Sequence, residues 1–510
     1  MSSAGTLTWF AQHECRLAWR DWLSMMTAGR RRRTRTVAVA LALFAAFMHL
    51  LAFGMIGRYA DVGSHLDKLT LVVVTGSALL SWSLMLSQAL ESVTRGFYTR
   101  ADLDLILSSP VAARRLFSVR IAAMAFSTAA MAGLMAAPFI NALIVRGGLH
   151  WLGAYGVVAA MGMAATALAV GLTVALFHLI GPRRTRLVAQ IVAAVIGALF
   201  VIGLQAGAIL SYGTLSRISF LESDTVVALA PAVDSLLWWP ARAILGDATA
   251  LVAVLAAGTA LLAGAILLFA PRFAHHAIAA ASVSQGALRQ RRVLRRFRAA
   301  APTAALRRKE WTLLRRDPWL LSQTLMQVLY LVPPALLLWR NFSGGAGTLV
   351  LLSPVLIMAA GQLAGGLAWL AISGEDAPDL IASAPVSARH VLRAKVEAVM
   401  GAIALVFAPF VIVLSVAAPF GALVSAVGIL AATASATAIQ LWFRTQAKRS
   451  HFRRRQTSSR IATFAEALSS IGWAATGALA AAGTWLALIT GVMTIAILAG
   501  TRLISPARNI

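Results

Sequence analysis

Apolar stretches of twenty residues or more recur along this chain of 510 residues. A hydrocarbon core about 30 Å thick is crossed by roughly 20 apolar residues in helical form. Inside that core every backbone N–H and C=O must be paired within its own segment, so the stretches can only be helices. They predict spans near 37–57, 69–91, 119–145, 152–180, 187–212 and 247–271, then near 319–339, 347–373, 396–418, 420–442, 461–481 and 484–504. The last two form one apolar block, which divides at Gly483. Pro333-Pro334 is expected to kink the seventh. A composition of 59% apolar and 12% charged residues agrees. The expected fold is an all-α polytopic membrane protein with twelve transmembrane helices arranged as two six-helix repeats.

The formal net charge of +27 would point to nucleic acid in a soluble protein, but its placement points elsewhere. If both termini lie on one side, that side carries 39 of the 45 lysines and arginines. The opposite side keeps Arg58, Lys68, Arg146, Arg217, Arg242 and Arg340. Such a bias follows the positive-inside rule and predicts cytoplasmic termini in an inner (plasma) membrane. The basic runs Arg30–Arg33 and Arg291–Arg298 then face anionic lipid, and no nucleic-acid partner is expected. Residues 1–35 do not read as a cleavable signal peptide, since the basic region is long and a full-length span follows.

Two internal repeats divide the chain. Asp104-Leu-Ile-Leu-Ser-Ser-Pro-Val-Ala-Ala-Arg114 recurs as Asp379-Leu-Ile-Ala-Ser-Ala-Pro-Val-Ser-Ala-Arg389, a shared D-L-I-x-S-x-P-V-x-A-R. A basic residue, Arg120 or Lys395, follows each copy at the same spacing. Each copy lies between the second and third span of its half. The weaker repeat, E-x-x-L-x-x-R-D, occurs as Glu14–Asp21 and Glu310–Asp317, ahead of each half's first span. The expected division is a first half over 1–272, a small-residue-rich and then basic linker over 273–304, and a second half over 305–510.

Asp ahead of an apolar pair suits a helix start, and proline six residues on ends or bends the turn. The repeated element is therefore expected to be a short, stiff helix able to dock on a partner. The external segment 213–246, with Pro231, Trp238, Trp239 and Pro240, has helical spacing over Val226–Leu229 and Leu236–Ile244 and reads as a short helix or re-entrant turn. The sequence lacks a phosphate-binding loop, an H-E-x-x-H motif and paired cysteines, so no ATPase domain, catalytic residue, cofactor or metal site is expected. His49, His178, Asn141 and several glutamines stand within spans, where an interhelical hydrogen bond is the ordinary role. Gly203-x-x-x-Gly207 and Gly361-x-x-x-Gly365 have the spacing of close helix contacts.

Taken together, the E-x-x-L-x-x-R-D segment, the D-L-I-x-S-x-P-V element between spans two and three, and the external Pro/Trp segment before span six resemble the permease subunits of type-2 ATP-binding-cassette (ABC) exporters, in the double-length form. The resemblance implies that Asp104, Leu105, Ile106, Pro110 and Arg114, with Asp379, Leu380, Ile381, Pro385 and Arg389, couple to two copies of a separate ATPase subunit. It implies connecting helices carrying Glu14, Arg20 and Asp21, and Glu310, Arg316 and Asp317. It implies an outer gate at Pro231, Trp238, Trp239 and Pro240. ATP would be bound by the partner alone, membrane lipid would be the other partner, and the chain itself would not be an enzyme. The second half has no external segment comparable to 213–246, which departs from the family pattern. The competing readings are an ion-coupled secondary carrier, a lipid-modifying enzyme and a non-transporting scaffold. The carrier calls for midplane carboxylates, and the enzyme for a nucleophile–base pair or a metal set.

Overall fold

The computed structural model describes residues 9, 12–14, 16–17, 19–20, 34–56, 67–98, 113–212, 221, 223–286, 301–316, 325, 329, 331–333, 336, 352–372, 380, 383–443 and 460–505. These residues are helical or in turns and bends, with no strand among them. Nine helices among the described residues are long and apolar enough to cross a membrane, which makes the chain a multi-pass membrane protein. The chain divides into two compact units, Met1–Arg292 and Val293–Ile510.

The first unit contains α1 (Thr34–Ile56), α2 (Lys68–Tyr98), α3 (Ala113–Gly147), α4 (Gly153–Tyr212), α5 (Asp224–Leu229), α6 (Trp239–Ile244) and α7 (Ala248–Gly286). The fourth and fifth expected spans run on as α4 with one break. It falls at Gly181, whose φ of 74° is left-handed and open to glycine without a Cβ penalty. α7 continues past the expected end of its span at 271 to Gly286. α4 is the spine of this unit: α2, α3 and α7 all pack on it, while α1 rests on α3. Met85, Leu90, Phe117, Ile121 and Val170 are buried where α2, α3 and α4 meet. In lipid, such contacts are held by packing and interhelical hydrogen bonds rather than by exclusion of water. One bond is the Ser87 hydroxyl donating to the Ala193 carbonyl at 2.7 Å.

The second unit contains α8 (Pro302–Arg316), α9 (Leu352–Ile372), α10 (Ala388–Ala417), α11 (Pro419–Trp442), α12 (Arg460–Ala481) and α13 (Leu486–Ile504). The seventh expected span, 319–339, lies mostly outside the described residues. α9 is enclosed by α10, α11 and α12, with Ile357, Ala360, Ala364 and Ala368 fully buried. The expected division between the last two spans holds, since Gly483 breaks the helix with φ 71°. α12 is apolar but carries Glu466, Ser469, Ser470 and Thr476, and it is not among the nine helices counted as long and apolar enough to cross a membrane. Polar groups stitch this unit together. Ser425 donates to Ser353 at 2.9 Å, the Trp473 indole donates to Ser435 at 2.9 Å, and the Gln440 amide donates to Glu466.

Candidate functional site

The repeated element is partly within the described residues. In the second copy these are Leu380 and Ser383–Arg389, while Asp379 and Ile381 lie outside them. Leu380 is helical and 74% exposed. The chain then turns. The Ser383 hydroxyl donates to the Leu380 carbonyl at 3.2 Å, and bends follow through Pro385 and Val386. Helix α10 then starts behind an N-cap, with Ser387 Oγ accepting from the His390 backbone N–H at 3.4 Å. The expected short helix is therefore over by Ser383, and the stretch around Pro385 is turn and bend. Proline cannot continue the hydrogen-bond ladder of a helix, which accounts for the change of direction. Ser383, Pro385 and Arg389 are all exposed. In the first copy Asp104, Leu105, Ile106 and Pro110 lie outside the described residues, and Arg114 is exposed in the first turn of α3.

The basic residue behind each copy is buried. Arg120 and Lys395 are each 2% exposed. Lys395 Nζ donates to the Ala371 carbonyl at 2.5 Å. Ala371 sits in the last turn of α9, where carbonyls lack helical partners and the dipole favours a cation. Lys395 therefore holds the end of α9 to the start of α10, clamping the base of the repeated element between them. Arg120 does a different job from the same place. Its guanidinium pairs with Glu14 at 3.5 Å and lies over the Phe117 ring at 5.8 Å. Arg120 is buried and Glu14 mostly shielded, so their attraction is little screened by water.

The two segments ahead of the first spans dock on the third spans of their own units. In the first unit the Glu14–Arg120 pair makes that contact; Arg20 is exposed, and Asp21 lies outside the described residues. In the second unit α8 packs along α10. There Arg307 donates from Nε and Nη2 to both oxygens of Glu397 at 2.5 and 3.1 Å, and Arg393 donates to the same carboxylate at 2.8 Å. Glu310 is 1% exposed and accepts from Lys309 Nζ at 3.3 Å. The Trp311 ring rests on Gly401, where a Cβ would come within 2.9 Å of it. Asp317 lies outside the described residues, as does the side chain of Arg316. Both leading segments carry a carboxylate, Glu14 and Glu310, and the second unit adds another, Glu397, on α10. Pattern reading found the repeat but not the Arg307–Glu397 pair, because both residues stand outside the repeated motif.

The segment before the last span of the first unit forms the expected short helices. Ser223 caps α5, a 3-10 turn spans Leu236–Trp238, and α6 follows with Pro240 in its first turn. Trp238 is buried and its indole donates to the Ala232 carbonyl at 2.9 Å. Trp239 and Pro240 are half-buried and Pro231 is exposed. Asp247 caps α7 by accepting from the backbones of Thr249 and Ala250 and from the Thr249 hydroxyl, and it lies 3.4 Å from Arg242. The Thr249 hydroxyl, first among these, holds the Asp247 carboxyl below the usual carboxylate range.

Among the described residues no group of three or more His, Cys, Asp or Glu side chains could hold a metal ion. Comparisons with protein-family models, with curated proteins and with solved structures find no match to this chain.

Proposed function

We propose that the chain is the double-length permease of an ABC-type exporter, with twelve spans as two six-helix repeats and an ATPase supplied by a separate subunit. The observation that carries this reading is the second copy of the repeated element. It offers a bare apolar side chain, Leu380, beside exposed Pro385 and Arg389, on a base clamped by a buried lysine. An exposed leucine at a turn between two spans suits contact with a partner protein, and a clamped base suits transmission of the partner's movement. The charge bias supports a cytoplasmic position for both copies, where ATP is. Asp104, Leu105, Ile106, Pro110 and Arg114 with their counterparts in the second copy would seat two ATPase subunits. Pro231, Trp238, Trp239 and Pro240 would close the far side.

Two measurements test the reading. Crosslinking in the native membrane followed by purification of the full chain should recover an ATPase with a phosphate-binding loop. Its absence would favour the carrier or the scaffold. Replacing Pro110 and Pro385 together by alanine should abolish ATP-driven transport in vesicles while the protein still inserts and folds. Transport at the wild-type rate would remove the coupling role.

A further inference from the structure

Helix α10 carries its charges only near its start. Arg389, Arg393, Lys395 and Glu397 are followed by an uncharged run from Ala398 to Ala417, roughly 20 residues or about 30 Å of helix. That length matches a hydrocarbon core, so the bilayer boundary falls near Glu397. α8 runs beside this start in the same direction. Arg307 meets Glu397, and four residues on in each helix Trp311 meets Gly401. The exposed guanidiniums of Arg307 and Arg393 thus stand at headgroup depth. The exposed Trp311 ring lies about 6 Å deeper, at the top of the acyl chains.

We propose that this corner of the second unit binds the phosphate of an anionic glycerophospholipid. Two guanidiniums share the single carboxylate of Glu397, which leaves one positive charge over. Arg307 spends Nε and Nη2 on that carboxylate, whereas Arg393 spends Nε alone and keeps both Nη groups for another acceptor. A guanidinium fork matches two phosphate oxygens at once, which an ammonium cannot do. Glu397 holds both forks in place beforehand, so less side-chain freedom is lost when a phosphate arrives. Exposed Arg308 beside Arg307, and exposed Arg389 one turn before Arg393, strengthen the field. A choline headgroup would bring a fourth kind of contact, a cation among arginines, so an anionic lipid is preferred to a zwitterionic one. Trp311 supplies an apolar body with a polar edge for the glycerol and the first acyl carbons. In the repeat, Ser118 and Ala122 stand at the positions of Arg393 and Glu397, so the site belongs to the second unit alone. The inference holds whether or not the chain is a permease.

The test is thermal unfolding of the full-length protein in neutral detergent, titrated with phosphatidylglycerol, phosphatidylcholine or inorganic phosphate. Phosphatidylglycerol should raise the unfolding temperature to a plateau, and the other two should not. Arg393→Gln, at an exposed position, should raise the midpoint concentration of that response at least about tenfold, the effect of one charge-assisted hydrogen bond. Arg115→Gln, an exposed arginine in the first turn of α3, should leave the midpoint unchanged. No plateau with phosphatidylglycerol, or an equal response to phosphatidylcholine, would overturn the proposal. A matching response to inorganic phosphate would reveal an anion site that takes no lipid. Equal weakening by Arg115→Gln would reveal only the general attraction of a basic surface. Either result would also refute it.

Discussion

Single residues carry more weight at the base of the repeated element than within it. Arg120 is buried with Glu14 as its ion-pair partner, and removing one member of such a pair strands the other. Arg120→Met should therefore destabilise the protein by about 3–5 kcal/mol, and adding Glu14→Met should restore a large part of that loss. Unfolding followed by tryptophan fluorescence in mild detergent checks both values. Asp247 supplies a pH-dependent counterpart in the turn before α7. Its carboxyl is held below its ordinary range, first by the Thr249 hydroxyl, so the stability it lends is present above the unfolded value near 3.9. That stability is lost as the pH falls through the folded value. Asp247→Ala should cost about 1 kcal/mol at neutral pH as a lost helix cap, and the difference from wild type should shrink in acid. A melting comparison at neutral and acid pH reads the change.

Helices follow the same logic, with close approach deciding which small residues matter. Gly361 and Gly203 have the same small-residue spacing in sequence, yet they differ in their surroundings. A methyl group on Gly203 would meet nothing within 4 Å, whereas one on Gly361 would crowd Ser470 and Ala432. The tightest position is one that no spacing marked. Ile357 of α9 is fully buried, and its Cδ1 occupies the space in front of both Gly428 on α11 and Gly477 on α12. It cannot yield toward either helix. Gly428→Ala should thus overpack the unit and cost about 1–3 kcal/mol, while Gly203→Ala should be neutral or stabilising by up to about 1 kcal/mol through helix propensity. Thermal unfolding of the two variants distinguishes a contact glycine from a free one. Element boundaries were readable to within a few residues where glycine breaks a helix, as at Gly483. The run from Gly153 to Tyr212 was likewise read as two spans, 152–180 and 187–212, and Gly181 breaks the helix between them; an apolar run gives no sign of how sharply the chain turns there.

At the scale of the whole molecule, the joints of the leading segments differ in electrostatics between the two units. The pair that joins Glu14 to Arg120 is shielded, whereas Arg307 and Arg393 around Glu397 are 53% and 76% exposed. Exposed pairs are worth only about 0.2–1 kcal/mol and are screened by salt, while buried pairs are screened much less. Raising the salt to about 1 M should speed backbone hydrogen exchange in α8 and leave the segment around Glu14 nearly unchanged. Equal responses would count against the difference between the two joints. If the chain works as proposed, the two joints then answer differently to one ionic medium, and the halves are unequal in operation despite their common motif.

Residue pattern alone determined that the chain is helical, that it lies in a membrane and that one element occurs twice. Each follows from a property carried by neighbouring residues: apolar length or repeated spacing. It also marked His49 and Asn141 as residues that bond between helices, without naming their partners. Only the tertiary structure decided that they bond to each other and to Tyr155, that Lys395 grips α9 while Arg120 grips Glu14, and that Ile357 fills the space before two glycines. Those outcomes depend on which helix faces which, and in an apolar medium many pairings have nearly the same energy until side-chain shape and a few hydrogen bonds select one.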